Sequence, residues 1–233
     1  TEGLKVSINL KKKEIVFNQT KESDWVLLRN LNLDEWKIIF KGIKIKRKNI
    51  KKQRFNSFGL TGCMNFYNTS FKNVIIESAE GICEDSINIV ESIGNIKNIV
   101  VKNAYGDAID LDFSKLSIDN IEVDIAGNDC LDVSAGNYQL KKVKMAYCRD
   151  KGISVGEKSK MKVDETDISY SKVAISSKDY SETNIKIAKY KDVEYCYEAK
   201  QKKAEFGGSV LRFQSFFCNE KYYIDKNSKV LFN

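Results

Sequence analysis

Five short stretches decide how this chain folds: Asp85-Ser86-Ile87-Asn88-Ile89, Asp107-Ala108-Ile109-Asp110-Leu111, Asp129-Cys130-Leu131-Asp132-Val133, Lys151-Gly152-Ile153-Ser154-Val155 and Val173-Ala174-Ile175-Ser176-Ser177. Each begins 22 residues after the one before. Upstream, Gly62-Cys63-Met64-Asn65-Phe66 and Lys41-Gly42-Ile43-Lys44-Ile45 extend the series; downstream, Tyr195-Cys196-Tyr197-Glu198-Ala199 does. Aligned as columns, the second position is small, the third large and apolar, the fourth polar and the fifth mostly apolar. Apolar residues on either side of a polar one give the period of two expected of a half-buried strand.

A second apolar signature follows each first one. Leu116-x-Ile118-x-x-Ile121-x-Val123 returns as Tyr138-x-Leu140-x-x-Val143-x-Met145 and as Met161-x-Val163-x-x-Thr166-x-Ile168. The two-residue step in its middle implies a bend between two short strands. A 22-residue unit of this kind cannot bury its apolar side alone, so it stacks on its neighbours. The expected fold is all-β: a right-handed, single-stranded parallel β-helix of about eight 22-residue rungs over residues 41–204, with capping segments at 1–40 and 205–233. At ~4.8 Å per rung the rod is about 35–40 Å long.

Composition removes several function classes. The 233 residues include no histidine, which excludes imidazole bases, Ser-His-Asp triads and histidine metal ligands. No apolar run approaches the ~20 residues of a membrane-spanning helix. The net charge of +7 is unevenly spread. Residues 1–60 hold 15 Lys and Arg against 6 Asp and Glu, whereas Asp85–Asp132 holds 10 acids and 3 Lys. The basic stretch Lys44–Lys52 suits an anionic partner, but no aromatic residues interleave it, so nucleic acid is not the favoured partner. The chain starts at Thr1, which fits a piece of a longer protein, with extracellular or cell-surface display as the expected setting.

Cys63, Cys130 and Cys196 fall in one small column, three rungs apart and beyond disulfide reach of one another. Cys83 and Cys148 fall at turns. The cysteines therefore read as small buried residues of a stacked ladder.

The first column runs Asp85, Asp107, Asp129, Lys151, and the fourth adds Asn88, Asp110 and Asp132. Stacked carboxylates roughly 5 Å apart repel, so either one keeps its proton or a cation binds. That suits general acid–base work or capture of a hard cation such as Ca²⁺. The same residues also have an architectural use, because Asp and Asn at rung corners hydrogen-bond the turn backbone.

Tyr105-Gly106-Asp107-Ala108-Ile109-Asp110, Gly127-Asn128-Asp129-Cys130 and Asp150-Lys151-Gly152 occupy successive rungs. Across roughly residues 85–180 this resembles the polygalacturonase-type glycoside hydrolases, right-handed β-helices with Asn-Thr-Asp, Gly-Asp-Asp-Cys and Gly-His-Gly motifs about one rung apart. The resemblance implies water-activating roles for Asp107 and Asp129. The family's proton donor falls on Asn128, which as an amide cannot supply a proton, and its histidine falls on Lys151. Lys178 stands nearest the family's substrate-binding lysine.

A lyase chemistry fits those substitutions: Asp85, Asp107 and Asp129 would hold Ca²⁺ and Lys151 would be the base. The expected site is thus catalytic Asp107, Asp129 and Lys151, substrate-binding Asp110, Asp132, Asn128 and Lys178, and metal-binding Asp85, Asp107 and Asp129. The expected partner is an extended polysaccharide on the acidic face. The alternative is a non-catalytic structural or interaction domain of a larger cell-surface or phage-like protein.

Overall fold

The structure is a computed structural model that describes residues 4–44, 55–56 and 58–232. Among these residues there is no helix. The strands are β1 (Leu4–Asn9), β2 (Glu14–Gln19), β3 (Val26–Arg29), β4 (Asn32–Asp34), β5 (Lys37–Lys41), β6 (Gly62–Tyr67) and β7 (Ser70–Ala79). They continue as β8 (Asp85–Val90), β9 (Ile93–Val101), β10 (Asp107–Asp112), β11 (Lys115–Val123), β12 (Leu131–Ser134), β13 (Asn137–Ala146) and β14 (Lys151–Gly156). The last are β15 (Lys160–Ser169), β16 (Val173–Lys178), β17 (Glu182–Lys191), β18 (Tyr195–Lys200), β19 (Val210–Phe217), β20 (Lys221–Ile224) and β21 (Lys229–Phe232).

Even-numbered strands from β6 to β20, with β3 at one end, form a 9-stranded sheet. The longer odd-numbered strands from β5 to β21, with β1, β2 and β4, form a 12-stranded sheet. Among the described residues all strand pairing is parallel except the β1–β2 hairpin. The chain is therefore a parallel β-solenoid, with one strand per sheet in each rung. A third contact line is reduced to the single bridges Ala104–Ala126 and Ala126–Cys148. In β11 the pairing skips Asp119, and this is the bend announced by the two-residue step.

The core follows from the columns. Met64, Ile87, Ile109, Leu131, Ile153, Ile175 and Tyr197 stack in register, each directly over the next. All are buried. The small second column sits at the rung corner, where Ala108, Cys130 and Ala174 are wholly buried.

Corners between the two sheets are turned by residues in the left-handed region: Glu91, Phe113, Ala135, Lys158 and Tyr180. This leaves Phe113 and Tyr180 exposed on the outside. Just beyond the corner runs a ladder of hydroxyls. Ser92 Oγ accepts the Thr69 N–H and Ser114 Oγ accepts the Ser92 N–H, both at 3.0 Å. These bonds satisfy buried backbone donors that the turn takes out of the sheets.

Two expectations are corrected. The cysteines are paired: Cys63–Cys83, Cys130–Cys148 and Cys196–Cys218, with Cα separations of 5.4, 5.4 and 6.0 Å. The column mates are indeed too far apart to bond. The partners lie 20, 18 and 22 residues along the chain, which is close to one turn of the solenoid and so returns to a neighbouring position.

The second correction concerns Lys41–Ile45, which is not a rung strand stacked on β6. That place belongs to β3, with Val26 opposite Met64. Lys41 ends a strand of the other sheet, and Gly42 is a corner residue whose N–H bonds Ala79 O at 2.8 Å. Gly42 packs so tightly that a Cβ there would lie 2.2 Å from Gly81 N. Ile45 itself lies outside the described residues.

Candidate functional site

The outward face of the 9-stranded sheet carries the polar columns. First-column Asp85 and Asp107 lie in register on β8 and β10. Asp107 Oδ1 accepts the Asp129 N–H and the Asn128 side-chain amide, each at 2.7 Å. Asp129 Oδ1 accepts the Lys151 N–H at 2.9 Å and faces Lys151 Nζ at 3.4 Å. One carboxylate oxygen thus closes the corner of the following rung, twice in succession. Asp85 differs: it is buried, and among the described residues its Oδ2 has no hydrogen-bond partner.

The fourth column stacks Asn88, Asp110, Asp132, Ser154, Ser176 and Glu198. Two residues further on, Asp112 is opposite Ser134, and Lys178 is opposite Lys200. Asn88 Nδ2 donates to Asp110 at 3.2 Å and to Asp112 at 3.5 Å. Asn88 thus bridges the Asp110 and Asp112 carboxyls, which lie two residues apart on the same strand face. Ser134 and Lys203 both bond Glu157. Lys178 Nζ donates to Ser154 Oγ at 2.6 Å, and its stem lies beside Gly156.

Crowding sets the charge states. Burial, followed by the charge of Asp129, pushes Asp107 up to about 7. Burial pushes Asp112 up to about 6 against the Asn88 hydrogen bond. Burial holds Asp85 and Asp110 well above the usual carboxylate range, and the neighbouring acids add to the effect. Asp129 is also raised by burial, which outweighs the pull of Lys151. Burial works against the charged form of Lys151, but Asp129 and Asp150 outweigh it and raise the ammonium pKa. A lysine held charged in this way is a poor proton acceptor.

The face is therefore graded along the rod. Its earlier rungs carry carboxyls; its later rungs carry Lys151, Lys178 and Lys200, the last ion-paired with Glu198. Of the residues expected at a site, Asp110, Asp132 and Lys178 share the strand face with one another. Asp107, Asp129 and Asn128 are drawn into the corner hydrogen bonds. The expected Ca²⁺ set, Asp85, Asp107 and Asp129, is spread one per rung. Among the described residues no three acidic, histidine or cysteine side chains converge as metal ligands.

Asp112, Ser134, Glu157, Lys200 and Lys203 were not anticipated. The signal for most of them lay one column beyond the fifth, where Asp112, Ser134, Gly156, Lys178 and Lys200 repeat every 22 residues. Tyr138, in the second apolar signature, is a core residue whose hydroxyl bonds Leu111 O at 2.9 Å. No protein-family model matches this chain, and no curated protein sequence matches it.

Proposed function

We propose that the outward face of the 9-stranded sheet binds an extended polysaccharide, and that the Asp110–Asp112 pair supplies a proton-donating carboxyl to it. The observation that carries this reading is the Asn88 side-chain amide bridging two carboxyls that burial lifts above the usual carboxylate range. A carboxyl kept protonated near neutrality donates hydrogen bonds to sugar oxygens and can act as a general acid, while its ionised neighbour accepts from hydroxyls. Asp132 lies one rung away in the same column. The pairing of all six cysteines fits an oxidising compartment, where extended polysaccharides are met.

A base role for Lys151 is not part of this reading, because its carboxylate neighbours keep it charged. Ca²⁺ remains a proposal for Asp85 alone among the named acids with an unengaged buried oxygen. A second reading, an interaction domain without catalysis, is favoured by the corner hydrogen bonds of Asp107 and Asp129.

The test is calorimetry and a reducing-end assay with neutral and uronate oligosaccharides, with and without Ca²⁺, on the chain and on Asp110→Asn and Asp112→Asn. Binding that weakens at least tenfold in both variants supports the proposal. Cleavage that disappears while binding persists assigns the acid role. No binding to any glycan, or binding indifferent to both substitutions, overturns it.

A further inference from the structure

A trough runs along the other face of the rod, on the 12-stranded sheet, and encloses about 510 Å³. It crosses β11, β13, β15, β17 and β19, and five adjacent strands span ~19 Å. Its geometry follows from strand alternation. Leu140, Val163, Ile185 and Phe213 point into the core, so the residues on either side of each stand outward as two parallel walls.

One wall is Ser117, Gln139, Lys162, Asn184 and Arg212, stacked in register. The other carries Lys141, Asp164, Lys186 and Gln214. The second wall is neutralised internally. Lys141 pairs with Asp119 at 2.8 Å and Lys186 with Asp164 at 2.6 Å, each lysine meeting an acid of the rung before. The first wall contains no acid. Among the described residues neither Lys162 nor Arg212 has a carboxylate partner, and the side-chain amides of Gln139, Asn184 and Gln214 make no hydrogen bond. Stacked amides elsewhere on the rod do bond one another, as Asn120 does to Asn98 at 3.0 Å. The trough therefore presents two uncompensated cations two rungs apart, ~10 Å, with free amides between and beside them.

We infer that this trough binds a linear acidic polysaccharide whose carboxylate or sulfate groups recur on every second sugar. Arg212 and Lys162 each meet one acidic group, with Arg212 able to hold it through two parallel N–H bonds. Gln139, Asn184 and Gln214 both donate to and accept from the hydroxyls in between. Nucleic acid fits poorly, because the walls offer no aromatic ring for a base and only two unpaired cations for a continuous row of phosphates. This site shares no residue with the face of the 9-stranded sheet, so either can fail without the other.

The experiment is calorimetry of the whole chain with three probes at low and moderate salt. They are a hexasaccharide bearing a uronate on alternate rings, neutral maltohexaose and a short oligothymidylate. The variants are Lys162→Gln, Arg212→Gln, their double, and Lys189→Gln, an exposed lysine off the trough that pairs with Glu165. The expected result is binding of the acidic hexasaccharide alone, weakened at least tenfold by either trough substitution and abolished by both. Affinity should fall as salt rises, and Lys189→Gln should leave it unchanged. Unchanged melting temperatures will show that the trough variants are folded. Absence of binding, equal binding by the double variant, a loss of similar size in Lys189→Gln, or tighter binding of the oligothymidylate overturns the inference. Retention in Asp110→Asn separates this trough from the other face.

Discussion

Replacing Asp107 by asparagine should stabilise the protein at high pH and leave it nearly unchanged at low pH. Asp107 Oδ1 accepts two hydrogen bonds, from the Asp129 N–H and the Asn128 amide, and an asparagine oxygen can accept both. What the substitution removes is the charge. Burial and the Asp129 carboxylate lift the Asp107 pKa from 3.8 to about 7, a shift of ~3 units, or ~4 kcal/mol at ~1.4 kcal/mol per unit. Between those two values the folded state binds more protons than the unfolded one, so stability falls as pH rises. The contribution of Asp107 is thus fully present below pH 3.8 and lost by the time pH passes about 7.

At pH 8 the variant avoids most of that loss, about 2–4 kcal/mol once solvent screening is allowed for, which for a chain of this size is at least roughly 5 °C in melting temperature. At pH 4 the two proteins should melt within about 1 °C of each other. Thermal melts of both proteins from pH 4 to pH 8, followed by circular dichroism, will trace the difference. A variant that melts lower at pH 8, or a difference that does not change with pH, refutes the reasoning.

Ile109→Asp should abolish folding, seen as loss of the cooperative melt, because it places an unpaired carboxylate between Ile87 and Leu131 in a fully buried column. Replacing Cys130 and Cys148 by serine should cost about 3 kcal/mol by denaturant titration, the loop-closure contribution of a crosslink spanning ~20 residues. An unchanged midpoint would show that the bridge does not form. Gly127→Ala should destabilise by more than 2 kcal/mol or so by the same titration, since a Cβ there would lie 1.8 Å from Tyr105 O and the rung below would have to shift.

The solenoid was legible because two periods coincide in it. Alternation within a strand sets which residues face inward, and the 22-residue spacing sets which stack, so Ile87, Ile109, Leu131 and Ile153 could be placed from sequence. The cysteines were misread because distance was measured along a column, where Cys63 and Cys130 are far apart. The chain also advances one rung per period, so any two cysteines separated by nearly one period are neighbours, as Cys130 and Cys148 are.

Lys41–Ile45 misled for a related reason: a small residue followed by an apolar one also suits a corner, and spacing alone does not separate corner from strand. On the polar face the acid column was visible. Its internal division was not: the hydrogen bonds that commit Asp107 and Asp129 to the next corner depend on side-chain direction. So does the lifting of the Asp110 and Asp112 carboxyls above their usual range, which needs the third dimension to bring burial and neighbouring charge together.

The three crosslinks also give the rod a mechanical character. They sit near its beginning, middle and end, at Cys63–Cys83, Cys130–Cys148 and Cys196–Cys218. A solenoid pulled from one end should peel one rung at a time, since each rung touches only its neighbours. Here every such peel meets a knot that cannot slip. Each bridge withholds the chain between its cysteines, roughly 60–75 Å of contour at ~3.4 Å per residue, from any extension under load. Under tension the rod should lengthen in bursts between fixed lengths, and a reducing agent should release the withheld segments as three discrete additional steps.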